Sequence, residues 1–538
     1  MTLTLYDTTL RDGSQQEGIS LTVGEKLRIV RLLDSLGVNI VEGGWPSANP
    51  KDRSFFQRVR ELALTCSRIS AFGATRKALT HVEDDPQVRA LIDAETPVVT
   101  IVGKSSLQQV KRVLRVQPEE NLGMISDTVR YLADQGRQVV FDAEHFFDGY
   151  REDPSYAIET VAAAWKAGCE TVTLCDTNGG TLPWDVYAIV VALRGMLPVS
   201  FGIHAHNDAD MAVANSLAAV RAGADHVQGT INGYGERCGN ANLCSLIPAL
   251  QWKLHAVDLG AKRLETLRRV AESVARIAHQ ELPSGLPYVG RSAFAHKGGL
   301  HVHAMDRWPM SYQHLDPAVV GNRTRVVVSE QSGRTNLKLK LRELGLDAEM
   351  TPPRLEKLVG RIKELEEDGY QFEGADASLE LLVRRAATDY CAPFHLEGFH
   401  VLVRHDTGER MVADASVRIA IGAQLVHTAD AGNGPVNALD RAVRKALVPT
   451  YPKLADMVLT DYRVRILDGD DGTGARVRVL LTTTDGDTGW TTVGCGTSIV
   501  EASWIALADA LEYGLWITQP KPDTEVVPAK ETACKQRS

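Results

Sequence analysis

The chain has little that would tie it to a membrane, to nucleic acid or to an oxidising compartment. No stretch of its 538 residues approaches the roughly 18 consecutive apolar residues of a membrane span. The formal net charge of −9 leaves no basic footprint for a polyanion, so neither nucleic acid nor a membrane is expected as a partner. Its eight cysteines form no CxxC pair and no dense framework, which excludes a disulfide scaffold and points to reduced thiols. The opening MTLTLYDTTLRDG lacks the basic, apolar and small-residue zones of a signal peptide, and the expected location is cytoplasmic. Cys175 and Cys238 are both expected to be small buried hydrophobes rather than nucleophiles.

What the chain does have is alternation. Over the first 255 residues, short β-branched runs follow one another at 3–6, 39–43, 68–72, 98–102, 138–142, 171–175, 200–204 and 226–229. Amphipathic stretches separate them, such as Leu27, Val30, Leu33 and Leu36, opened by a capping box at Thr22 and Glu25 and closed by Gly37. Eight strand–helix units in about 250 residues predict a (β/α)8 TIM barrel, placed at 1–280.

On such a barrel the chemistry belongs at the C-terminal ends of the strands. The segment HAHND puts His204 and His206 two apart at the end of the seventh strand, so both imidazoles project from one side. By itself an HxH pair is more often a surface or pore feature. Here Arg11 and Asp12 follow the first strand, Glu144 the fifth, Asp176 and Thr177 the sixth, and GYGERCGN the eighth. Scattered surface residues would seldom converge on one mouth in this way. Two neutral imidazoles and one carboxylate suit a divalent cation held by Asp12, His204 and His206: zinc, or manganese or magnesium where an amide or water oxygen joins them. Open positions on that ion would take the carboxylate and keto oxygens of a 2-keto acid, leaving its carbonyl electrophilic.

Four motifs in order, LYDTTLRDGSQ, HAHND, GYGERCGNAN and HKGGLHVHAM, make essentially the whole chain similar to the metal-dependent Claisen-condensing barrels, which include 2-isopropylmalate, homocitrate and citramalate synthases. EGGWPSANPKD at 42–52 and FDAEHFFDGY at 141–150 look like the citramalate branch of that family. The resemblance implies Asp12, His204, His206 and Asn240 as metal ligands. It implies Arg11 as the contact to the keto or developing alkoxide oxygen, Thr177 as the group that binds the substrate carboxylate, and Glu144 as a catalytic carboxylate. His301 of KGGLH resembles a histidine that enters the active site from a neighbouring subunit, accompanied by Tyr312, although His296 and His303 compete for that assignment. The reaction so implied joins acetyl-CoA and pyruvate to give citramalate and free CoA. Its base would be neutral His301, oriented by Glu144, while the cation and Arg11 activate the ketone and stabilise the oxyanion. The alternative is 2-isopropylmalate synthesis from 2-ketoisovalerate, decided by the pocket for the keto acid's side chain, where Trp45 is the candidate filler. A metallohydrolase on this barrel would carry HxH on its first strand, and a non-catalytic sensor would not need the full set of polar residues.

Beyond the barrel, residues up to about 280 read as a further helix, and helical patterns at 353–366 and 377–390 belong to linker subdomains, 281–392, that carry the candidate His301. Residues 393–517 repeat a βββα pattern at a spacing of about 62 residues, the first copy ending in a helix at 435–447 and the second in a helix to about 516. Glycines precede each helix, Gly432 and Gly434 in one copy, Gly494 and Gly496 in the other, and serve either an anionic ligand or a tight strand-to-helix turn. The duplication predicts an α+β module that binds a small effector. The resemblance makes it a regulatory domain, with isoleucine as effector and a homodimer as the assembly. The tail, 518–538, is expected to be disordered.

Overall fold

A computed structural model describes residues 3–327, 334–343, 345–346, 350–386, 390–405, 411–467 and 469–518; the tail expected to be disordered lies, from 519 on, outside the described residues. The chain divides into two compact units, 1–295 with 313–325, and 296–312 with 326 onward.

The first unit closes eight parallel strands into a barrel in chain order: β1 (Thr4–Asp7), β2 (Ile40–Glu42), β3 (Arg68–Ala74), β4 (Val98–Lys104), β5 (Gln138–Glu144), β6 (Thr171–Asp176), β7 (Ser200–Ala205) and β8 (His226–Gly229). All eight expected strands are present. β4 and β5 run past the expected ends because Lys104 still pairs with Glu144 across the ladder. The first barrel helix, α1 (Val23–Leu36), starts where Thr22 and Glu25 exchange the two hydrogen bonds of the capping box. It stops at Gly37, whose φ of 93° gives the left-handed turn that ends it.

Alternation along the strands separates two cores. Leu5, Val41, Val99 and Val139 point outward into the large core shared with the helices. Tyr6, Ile40, Val98 and Val140 form a small apolar cluster of their own inside the barrel. The His226 ring lies 5.1 Å from that of Tyr6, and a Cβ on the neighbouring Gly202 would fall 2.8 Å from it, so the interior has room for one of the two side chains. Two residues further along the inward faces stand Glu42, Thr100 and Asp142, all buried. The interior therefore turns from apolar to polar toward the C-terminal rim, where a purely structural barrel would continue with branched apolar layers.

The second unit contains the helices α2 (Gly299–Arg307), α3 (Arg334–Glu343), α4 (Pro352–Glu367) and α5 (Asp376–Arg385). Two antiparallel three-stranded sheets follow. One is β9 (His395–Arg404), β10 (Val412–Ile421) and β11 (Gln424–Gly432), leading into α6 (Pro435–Leu447); the other is β12 (Val458–Ile466), β13 (Val477–Thr484) and β14 (Gly489–Gly496), leading into α7 (Ile499–Thr518). This is the βββα duplication. A Cβ on Gly432 would lie 2.5 Å from the backbone nitrogen of Ala438, and one on Gly494 2.0 Å from the carbonyl of Ala502, so each glycine lets its helix pack directly on its strand. That close approach is the tight-turn reading of these glycines. α5 packs against α7 through Ser378, whose hydroxyl donates to Asp509 at 2.6 Å, and through Arg385, which reaches Asp509 and Glu512 at 2.7 and 2.8 Å.

Candidate active site

Three ligand-type side chains meet at the rim of the barrel. Asp12, one turn beyond β1, is 2% exposed, and His204 and His206, at and just past the end of β7, are 5% and 7% exposed. The Nε2 atoms of His204 and His206 stand 3.1 and 3.8 Å from Asp12 Oδ2 and 3.4 Å from each other. One ion would fit between these atoms, and the three residues form a metal-competent group. Asn240 adds a fourth candidate: its backbone bridges to His206, its Nδ2 donates to the Tyr234 carbonyl at 3.1 Å, and its Oδ1 is buried with no hydrogen-bond partner. A buried acceptor left unspent costs about 1–3 kcal/mol unless something fills it. The donor set of two imidazoles, a carboxylate and an amide oxygen fits a divalent cation.

The charges agree. Burial alone would raise the Asp12 carboxyl, but Arg11 and the two imidazoles more than reverse this and hold it well below the usual carboxylate range. Burial works against a charge on His204, yet the hydrogen bond it donates to Asp12 and the charge of that carboxylate outweigh it, raising the imidazole. His206, buried beside His204, is pushed down to about 4.

Arg11 is held from three sides. Its Nε donates to Glu42 Oε1 at 2.6 Å and its Nη2 to Glu42 Oε2 at 3.3 Å, while Nη1 stands 3.6 Å from Asp12 and the guanidinium carbon lies 3.8 Å from the centre of the Phe72 ring. Glu42 is fully buried and also accepts from the Tyr6 hydroxyl at 3.1 Å. On β5, Asp142 and Glu144 share one face; Glu144 pairs with Lys104 at 2.5 Å, and burial followed by the nearby Glu42 charge raises Asp142 to about 6. His145, at φ 58°, turns its N–H toward Thr177 and donates to Oγ1 at 2.8 Å. A left-handed non-glycine residue is a strained conformation, and here the strain delivers that hydrogen bond.

Arg11, Asp12, Glu144, Thr177, His204 and His206 line one cleft of about 390 Å³, with Trp45, Phe72 and Asp142 also in its wall. A larger hollow of about 590 Å³ beside Arg76 shares no residue with it, and there the guanidinium is already taken up by Glu120 and Asp127 at 2.9 and 2.8 Å. His301 and Tyr312 belong to the second unit, where their rings stack at 4.1 Å, both exposed. Cys175 sits buried in the cleft wall with its thiol pushed well up by burial, a poor nucleophile as expected, whereas Cys238, also expected to be buried, is exposed in the loop after β8 next to Arg237. The sequence reading assigned no role to Glu42, Lys104, Asp142 or Gln228. Their signal was present as polar residues at inward positions of β-branched strands, but only barrel closure reveals which way inward is.

A (β/α)8 barrel with a buried metal-competent triad on its rim defines the class, and a family model described as HMGL-like matches residues 2–274. Models described as homocitrate synthase post-HMGL domain-like and LeuA allosteric (dimerisation) domain match residues 288–370 and 373–515. The (R)-citramalate synthase of Aquifex aeolicus is 49% identical over 95% of this chain and 97% of its own length, and that of Synechocystis sp. is 49% identical over 95% and 96%. A 2-isopropylmalate synthase of Methanocaldococcus jannaschii is more distant, at 30% identity over 94% of this chain and 93% of its own. The chain belongs to the citramalate synthase family, enzymes of the HMGL-like barrel class.

Proposed function

We propose that the protein condenses acetyl-CoA with pyruvate and releases citramalate and free CoA. The observation that carries this reading is the buried cluster of Asp12, His204 and His206, which shares one cleft with a clamped arginine, together with the unpartnered Oδ1 of Asn240, whose backbone bridges to His206. Asp12, His204, His206 and Asn240 would hold zinc, manganese or magnesium, and when bound the ion supplies a Lewis acid that polarises the keto carbonyl.

The remaining steps fall to the chain's own groups. Thr177 already accepts from the His145 N–H, so its own O–H is directed to the substrate carboxylate. Arg11 is held in place by Glu42 and Phe72 before substrate arrives and donates to the oxygen that gains charge as the carbon–carbon bond forms, a stabilisation that needs no reorganisation. The methyl carbon of the thioester loses a proton to His301, contributed by a neighbouring subunit of a homodimer and accompanied by Tyr312; the carbanion equivalent attacks the keto carbon, with Glu144 as the carboxylate that orients the base. Water then cleaves the thioester and frees CoA. The two βββα copies act as an effector module for isoleucine, and the free thiols suit a cytoplasmic setting.

The test is a thiol-release assay of metal-stripped and metal-restored protein with acetyl-CoA and a panel of 2-keto acids. Restored turnover with pyruvate and recovery of citramalate are the expected result. Turnover with 2-ketoisovalerate but not pyruvate would replace this reading by 2-isopropylmalate synthesis, and metal-independent release would remove its basis. Isoleucine is expected to depress turnover through a coupling between separate sites, and an unchanged rate at saturating isoleucine refutes the effector assignment.

A further inference from the structure

The structure assigns Gln228, for which the proposed chemistry has no use, a positioning role: its amide fixes His204 with a proton on Nδ1 and the Nε2 lone pair turned to the metal centre, and Asp142 fixes the amide. This rests on the metal reading above. Gln228 is fully buried on β8. Its Oε1 stands 2.9 Å from His204 Nδ1, and its Nε2 stands 2.8 Å from Asp142 Oδ1 and 3.2 Å from Thr173 Oγ1.

A carboxamide can be turned over without changing its shape, so its direction must come from its neighbours. An ionised carboxylate accepts hydrogen bonds and donates none. The NH2 end of Gln228 therefore faces Asp142, which leaves the carbonyl end facing His204. A carbonyl oxygen in turn requires a donor, and Nδ1 must carry the proton. The other imidazole nitrogen, 3.1 Å from Asp12 and 3.4 Å from His206 Nε2, is then free to bind a cation. Turned the other way, Gln228 would set oxygen against carboxylate and ask Nδ1 for a lone pair, placing the imidazole proton where the ion belongs. Four residues on four adjacent strands thus share in fixing one tautomer: Asp142 on β5 directs Gln228 on β8, Thr173 on β6 accepts the second amide hydrogen, and Gln228 directs His204 on β7.

Two variants of the full-length, metal-stripped protein test this by titration with Co(II), reading the dissociation constant and the visible ligand-field spectrum, while the thermal midpoint of the metal-free protein serves as a control for folding. Gln228→Glu keeps an acceptor for His204 but sets two carboxylates face to face; its affinity is expected to fall by about 10- to 100-fold, the range found for partners of metal-binding histidines. Adding Asp142→Asn to that variant restores a donor against the new carboxylate and is expected to return the affinity to within about threefold of the original, with the original spectrum. Unchanged binding by Gln228→Glu overturns the inference while leaving the metal site standing, and so does a double variant that recovers nothing. An unaltered chain that binds no ion overturns the metal centre and the inference together.

Discussion

Both compact units bury ionised side chains, and the way each satisfies them sets the two apart. In the second unit, Arg385 is shared between Asp509 and Glu512, Ser378 donates to Asp509, and the Tyr390 hydroxyl donates to Glu512. These oxygens are spent on each other, and the cluster fastens α5 to α7. In the barrel, Arg11 and Glu42 are bound as tightly, but the Nε2 atoms of His204 and His206 converge on Asp12, and Asn240, whose backbone bridges to His206, has an Oδ1 without a partner. A buried charge whose hydrogen bonds are complete is a fastener. Here an open acceptor coincides with three converging ligand atoms, and that conjunction marks a site, because a bound ion would supply the missing bond.

The sharpest way to break that contrast is to remove a ligand. Asp12→Asn keeps the shape and removes the charge that draws both imidazoles together; metal affinity should fall by more than about 100-fold, beyond what residues that merely orient a ligand contribute, and thiol release should vanish with it. Calorimetric titration of the metal-stripped variant decides this, and retained affinity would mean that the carboxylate is not a ligand. Next in size is Glu42→Ala, which removes the main partner of Arg11, a side chain only 15% exposed. Losing one partner of a buried pair costs about 3 to 5 kcal/mol. The barrel should unfold at a visibly lower urea concentration and turnover should drop as Arg11 loses its aim.

The counterpart in the second unit is Arg385→Met. This side chain is 38% exposed, so water screens part of the loss, and the expected cost is smaller, about 1 to 2 kcal/mol. It should appear as an earlier unfolding transition of the second unit with the metal affinity of the barrel unchanged. A lost metal affinity in this variant would contradict the division between fastener and site.

The same contrast explains what the sequence could disclose. The eight strands stand out because β-branched runs recur at intervals that a helix fills, and Asp12, His204 and His206 stand out because short motifs place them at strand ends. Glu42 and Asp142 do not, because their partners are remote: Arg11 and Glu42 are 31 positions apart, and Gln228 and Asp142 86. Only closure of the barrel makes them neighbours. In the second unit the duplication is legible from its glycines, where helix backbone meets strand. The helix α3 is not, because LKLKL alternates like a strand; it is helical because Leu337 and Leu341, four apart, both bury against the cluster that includes Leu358 and Ile362. His301 and Tyr312 are legible as a motif, and they stack on one another within the second unit.

The finest test concerns the wall of the cleft rather than its floor. Trp45 lines the cleft, its ring edge-on to Phe72 at 5.3 Å between centroids, and its loop is held by the Trp45 N–H donating to Asp52 at 3.0 Å while Lys26 binds the same carboxylate at 2.6 Å. The indole is therefore a fixed surface rather than a mobile flap, and pyruvate has only a methyl to set against it. Trp45→Ala should open space for the isopropyl group of 2-ketoisovalerate. Because one methylene in an apolar pocket is worth about 10- to 200-fold in discrimination, the ratio of kcat/KM for 2-ketoisovalerate over pyruvate should rise by at least about 10-fold. Metal affinity should stay as it was, since Trp45 is not one of the four candidate ligands. A ratio that does not move places the specificity-determining wall elsewhere in the cleft, with Phe72, whose ring also carries Arg11, as the next residue to vary.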